Sequence, residues 1–168
     1  MVRVAIAVIF STMAAAAVAE PLKTAVFDIE LVDLSQEAEA APRDDQTRRL
    51  KLVSDELRSL LEASPQIELV DLLPKDDEIR RKAPLYSCNG CAEDLAKELG
   101  AEILVSGIVQ KTSNLILSFG ITIRNARSGQ LIRAGQADIR GNTDESWLRG
   151  IRWITKNRLM SEPLPTQP

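Results

Sequence analysis

Histidine is absent from the chain. That removes the commonest general base, the imidazole ligand of most catalytic zinc sites and any serine or cysteine triad built on histidine. Thiols are scarce: Cys88 and Cys91 are the only two. Ala92 follows them, so the C-x-x-C-H signature of covalent haem attachment is missing. A metal held by these two sulfurs would lack two further soft ligands. No metal or other cofactor is therefore expected. There is no basic run able to track a phosphate backbone, and the formal net charge is −3. Nucleic acid is not an expected partner. No long apolar run follows the N-terminus, so no stable membrane insertion is expected of the mature chain.

What is present begins with "MVRVAIAVIFSTMAAAAVAEP". Arg3 precedes an apolar run, and small residues then end in Ala17-Val18-Ala19. This is the layout of a secretory signal peptide, residues 1–19, cleaved after Ala19. The mature protein is expected in the periplasm, as one domain over residues 20–159. About 150 residues suffice for a single core. The tail 160–168 holds three prolines and is expected to be disordered.

Apolar periodicity gives the order β-α-β-α-β-β-β-α. "KTAVFDIELVDL" (23–34) alternates as a strand, with Phe27, Ile29 and Leu31 on one face. Residues 35–46 read as a loop. In the following helix Leu50, Val53, Leu57, Leu60 and Leu61 share a face. Residues 66–74 read as a strand, and the charged stretch 75–87 as a loop with at most one helical turn. Ala92, Leu95, Ala96 and Leu99 then line a second helix. "AEILVSGIVQ" (101–110) is almost continuously apolar, as a central strand is. Two short turns join it to strands 115–124 and 130–140, the last polar enough for an edge. A final helix starts near Asn142, with Glu145 three residues on, and buries Trp147, Leu148, Ile151 and Ile154. The fold class is α+β: parallel pairing early in the chain, an antiparallel C-terminal meander, and helices packed on the mixed sheet.

Three groups of residues carry candidate chemistry. Cys88 and Cys91 precede a helix, where backbone N–H groups can stabilise a thiolate. In an oxidising compartment the weightier reading is a short disulfide, with Asn89-Gly90 supplying the positive φ of a tight ring. Arg140 and Asp144 sit at a strand-to-helix junction. They serve either as a recognition surface or anion site or as ordinary helix-start residues. Trp153 lies roughly 200° from the buried stripe of its helix at 100° per residue. It is either a binding anchor or, the favoured reading, covered by the tail or a loop.

The segment "LAKELGAEILVSGIVQKTSNLILSFGITIRNARSGQLIRAGQADIRGNTDESW" resembles the closing half of TolB amino-terminal-like domains. That fold group includes CsgG-type curli-secretion and LpoB-type activator proteins. "AVFDIELVD" matches their first strand. Small exported bacterial proteins of a domain-of-unknown-function family in this group are more similar still, with a C-x-x-C before the second helix and an "RGNTDESW"-like segment. The resemblance implies a non-enzymatic periplasmic interaction module of the cell envelope, with an unidentified periplasmic or envelope protein as partner. It carries over no catalytic residue. Two alternatives stay open: a thiol-disulfide redox protein using Cys88 and Cys91, and a small-ligand binder with a pocket beside the sheet.

Overall fold

A computed structural model describes residues 20–35, 38 and 43–165. The expected signal peptide and residues 166–168 lie outside the described residues. Six strands form one mixed sheet in the order β3-β1-β4-β5-β6, with β2 beside β4. They are β1 (Leu22–Val26), β2 (Glu30–Asp33), β3 (Ile67–Leu69), β4 (Ile103–Lys111), β5 (Ile116–Asn125) and β6 (Leu131–Arg140). Strands β3 and β4 flank β1 in parallel, and β4, β5 and β6 form the antiparallel meander. The helices are α1 (Asp44–Glu62), α2 (Asp76–Lys82), α3 (Cys91–Glu98) and α4 (Asp144–Ile154), the last extended by a π turn (Thr155–Leu159).

The expected first strand is divided. Residues Thr24–Val26 pair with Ile103–Val105, and Glu30–Asp33 pair with Ile108–Lys111. Three residues, 27–29, therefore stand opposite two, 106–107. One extra residue is a bulge, and it flips the side-chain alternation beyond it. Phe27 consequently packs into the layer under α3, while Ile29 and Leu31 pack into the layer under α1 and α4. The single face expected for Phe27, Ile29 and Leu31 is corrected by that inserted residue.

Helix α1 satisfies the backbone that the bulge frees. The Ile29 N–H donates to Ser54 Oγ at 2.9 Å, and Ser54 donates to the Leu50 carbonyl at 2.7 Å. The Arg58 guanidinium donates to the Val26 carbonyl at 3.1 Å and pairs with Asp28 at 2.6 Å.

Two hydrophobic layers enclose the sheet. The larger joins Val53, Leu57 and Leu61 of α1 and Trp147, Ile151 and Ile154 of α4 to Val105, Phe119, Ile121 and Ile123. The Phe119 and Trp147 rings meet edge to face, 5.7 Å apart. The smaller layer places Ala92, Leu95 and Ala96 of α3 on Ala25, Phe27 and Leu104. At the far end of β4, Lys111 is fully buried and pairs with Asp33 at 3.0 Å. Burial works against the ionised Asp33, but hydrogen bonds from Ser35 and Lys111 outweigh it and hold its pKa below the usual value.

Three other expectations change. Helix α1 starts at Asp44, inside the expected loop, with Asp44 and Asp45 in its first turn. Residues 76–82 form a helix, because charge rather than apolar spacing builds it: Asp76–Arg80 and Glu78–Lys82 pair at i,i+4, acids first. Residues 160–165 of the tail are tied down. Arg133 donates to the carbonyls of Leu159, Glu162 and Pro163, the Leu164 N–H donates to Gln66 Oε1, and Leu164 is buried.

Replacing Ser54 by alanine strands the buried Ile29 N–H. The expected cost is about 1–3 kcal/mol, read as a lower urea midpoint with an unchanged slope.

Candidate functional site: the β6–α4 groove

Helix α4 crosses the outer strand at close range. A Cβ on Gly150 would lie 2.8 Å from Ile139 Cγ2, and one on Gly135 would lie 2.7 Å from Ile154 Cγ2. Glycine on each element lets the helix lie low over β6. Its outer side chains then overhang the sheet edge. The resulting open cavity of ≈ 530 Å³ is lined by residues 136–140 of β6 and by Arg149, Gly150 and Trp153 of α4.

Two of the expected site residues, Arg140 and Trp153, border this groove, although strand alternation turns the Arg140 side chain to the sheet face away from α4, with Gln136 and Asp138. Trp153 remains 43% exposed, so among the described residues neither 160–165 nor a loop covers it, contrary to the favoured reading. The π turn explains what sits on it. Its i→i+5 bond, from the Met160 N–H to the Thr155 carbonyl, shifts the register so that Arg158 lies over the Trp153 ring, 5.3 Å from its centroid. Arg140 is exposed at the end of β6, and its guanidinium makes no hydrogen bond or ion pair with a described residue. Arg149 completes the cationic rim and contacts Glu145 at 3.4 Å. Arg149 stands four residues before Trp153, a spacing visible in the sequence. Arg158 stands five after it, a position that only the π turn brings onto the same face.

Asp144 lies outside the groove, in a clamp between α1 and α4. Arg48 holds it with two bonds of 2.6 and 3.0 Å, and Arg49 adds a third at 2.9 Å. The hydrogen bond from Arg48, then that from Arg49, lowers the Asp144 pKa to about 2. Arg49 also reaches Asn142 Oδ1, which accepts the Trp147 indole N–H at 2.9 Å. Asn142 is therefore not the helix cap. Thr143 caps α4 in a reciprocal box with Ser146.

Cys88 and Cys91 stand at disulfide distance, with their Cα atoms 5.5 Å apart. Gly90 between them has φ +84° and forms the N-cap of α3. The Glu30 carboxylate pins the adjoining turn by accepting the N–H groups of Leu85 and Tyr86 at 2.7 and 2.9 Å. Beside this turn lies a second cavity, of ≈ 270 Å³, bordered by Tyr86, Ser106, Thr122 and Arg124. It is the pocket beside the sheet that a small-ligand reading would need. Among the described residues no cluster of acids or cysteines could hold a metal, and no helix is long and apolar enough to cross a membrane.

Comparison with known proteins places the chain. The model of family DUF3280, described as "Protein of unknown function (DUF2380)", matches residues 22–159. The chain belongs to this family. No curated protein matches it. Among solved structures, the LpoB C-terminal domain from Escherichia coli superposes with a TM-score of 0.52 at 14% identity. That match covers 74% of this chain and 87% of the other. Lipoprotein GNA1162 from Neisseria meningitidis gives a TM-score of 0.51 at 14% identity, over 86% and 100% of the two chains. The DUF3280 chain thus shares the LpoB-like fold, in line with the fold-level resemblance in its sequence.

Two measurements test this geometry. The Asp144 pKa falls from 3.8 to about 2 on folding, so its contribution is complete above 3.8 and lost as pH falls through 2. Asp144→Asn should lower the melting temperature at neutral pH, and its gap from wild type should close between those two values. For the cysteines, a structural bond predicts a reduction potential below about −300 mV. A markedly higher value would mark a working dithiol.

Proposed function

We propose that this DUF3280 protein is an exported, non-enzymatic interaction protein of the cell envelope. It binds a partner protein through the surface around Arg140 and Trp153. One observation carries the reading: a half-exposed tryptophan, held in place by Arg158, borders a groove whose strand wall ends in Arg140, an exposed arginine with no partner among the described residues. Partly exposed aromatic rings with arginine neighbours are the residue types that dominate binding energy at interfaces. Asp144 serves the surface indirectly, by fixing the start of α4.

The export half of the proposal rests on the signal-like segment 1–19 and on a cysteine pair suited to an oxidising compartment. The periplasm is the compartment that fits both. The fold shared with a protein named a lipoprotein is consistent with work at a membrane surface. A redox role is the second reading, favoured by the position of the cysteine pair at the N-terminus of α3. The potential of that pair separates the two.

The test is site-specific photo-crosslinking in cells that export the full chain. A photoreactive residue at 153 or 140 should give an adduct with one envelope protein, and the processed chain in that adduct should begin at Glu20. The same residue at the exposed Glu62, on α1, should not. Absence of adducts at 153 and 140, or equal labelling at all three positions, would refute the proposal.

A further inference from the structure

The two edges of the sheet are finished differently. Strand β3 is three residues long, and the C-terminal segment binds next to it through Gln66. Such an edge is short and partly covered. Strand β6 is ten residues long, contains no proline or lysine, and pairs only with β5. Half of its backbone N–H and C=O groups therefore point outward. Among the described residues, none bonds to those outward groups along 136–140. This is also the stretch that forms one wall of the Trp153 groove.

A strand added to this edge would lie about 4.8 Å from β6. The overhang of α4 would then be above it, so alternate side chains of the newcomer would point at Trp153 and Arg149. Charge selects its composition. Arg149 and Arg158 lie on the α4 side of the groove and Arg140 on the other face of its strand wall, against Asp138 beside Arg140 and Glu145 beside Arg149. A chain of net charge −3 has gathered cations here. A second copy paired edge to edge about a two-fold axis is the competing occupant, and sedimentation tests it.

We infer that β6 and the α4 overhang take up an extended, acidic segment of a partner protein as an added β-strand. Backbone bonds to residues 136–140 supply affinity, an apolar side chain against Trp153 supplies the anchor, and carboxylates at Arg149 on that face and at Arg140 on the other set polarity. This inference rests on the interaction reading above and specifies its mode.

The probe is a phage-displayed library of random ten-residue peptides, panned on the full exported chain. Enriched peptides should carry acids together with an apolar residue at alternate positions. A synthetic copy should lose at least about tenfold in affinity on Trp153→Ala and on Arg140→Glu, with the melting temperatures of both variants unchanged. N-methylation of alternate amides should abolish its binding in one register and spare it in the other, and hydrogen-exchange protection should appear at residues 136–140. The inference is overturned if no peptide is enriched, if both substitutions leave binding intact, or if N-methylation is harmless in both registers. It is also overturned if sedimentation shows self-association that Trp153→Ala removes. A crosslink at residue 153 that persists while the peptide results fail would retain the interaction surface and reject strand addition.

Discussion

Parallel pairing of the first strand with β4 sets the register of the sheet, and one inserted residue at 27–29 divides that strand between two layers. Before the bulge, Phe27 serves the α3 layer; after it, Ile29 and Leu31 serve the α1 and α4 layer. A bulge in a buried strand exposes backbone groups that must find partners. Ser54 and Arg58 supply them from α1. The position of α1 on the sheet is thus determined by hydrogen bonding as well as by apolar packing. Strand β4, bonded to β1, β2 and β5, carries the consequence across to the meander.

From α1 the chain of constraint passes to α4. Arg48 and Arg49 grip Asp144 at the first turn of α4, and the same Arg49 reaches Asn142, the acceptor of the Trp147 indole. Gly135 and Gly150 then bring the helix down onto β6. With both its start and its height fixed, α4 holds Trp153 and Arg149 out over the edge strand. A surface presented by a rigid element loses little entropy on binding. The turn beside the two cysteines is held on the opposite layer, where Glu30 fastens it to β2.

Much of this was legible in the sequence. The continuous apolar run of β4 marked the centre, and the polar β6 marked an edge. The stripe of α4 was correct for Trp147, Ile151 and Ile154. Gly90 does adopt the positive φ that its place between the cysteines suggested. What failed failed for identifiable reasons. A bulge leaves no mark in a run whose residues are apolar on both sides of it, so spacing alone assigns Phe27 and Ile29 to one face. Helix α2 lacks an apolar stripe, so its spacing predicts a loop with at most one helical turn. Asn142 has the chemistry of a cap, yet its oxygen is taken by Trp147 and Thr143 caps instead. The prolines of the tail concealed the anchoring of residues 160–165 by Arg133.

The sequence by itself determined the α+β class, the order of most elements and the residue types available for chemistry, because periodicity and composition are local properties. It also identified Arg140 and Trp153 as residues with no evident place in a core. That both border one groove was decided only in the tertiary structure. It depends on the crossing of α4 over β6, on two glycines that admit close approach and on a π turn that carries Arg158 onto the indole. Asp144 was separated from them in the same way, since its arginine partners come from a helix about a hundred residues earlier. Contacts of that range arise from packing geometry, which one-dimensional spacing does not encode.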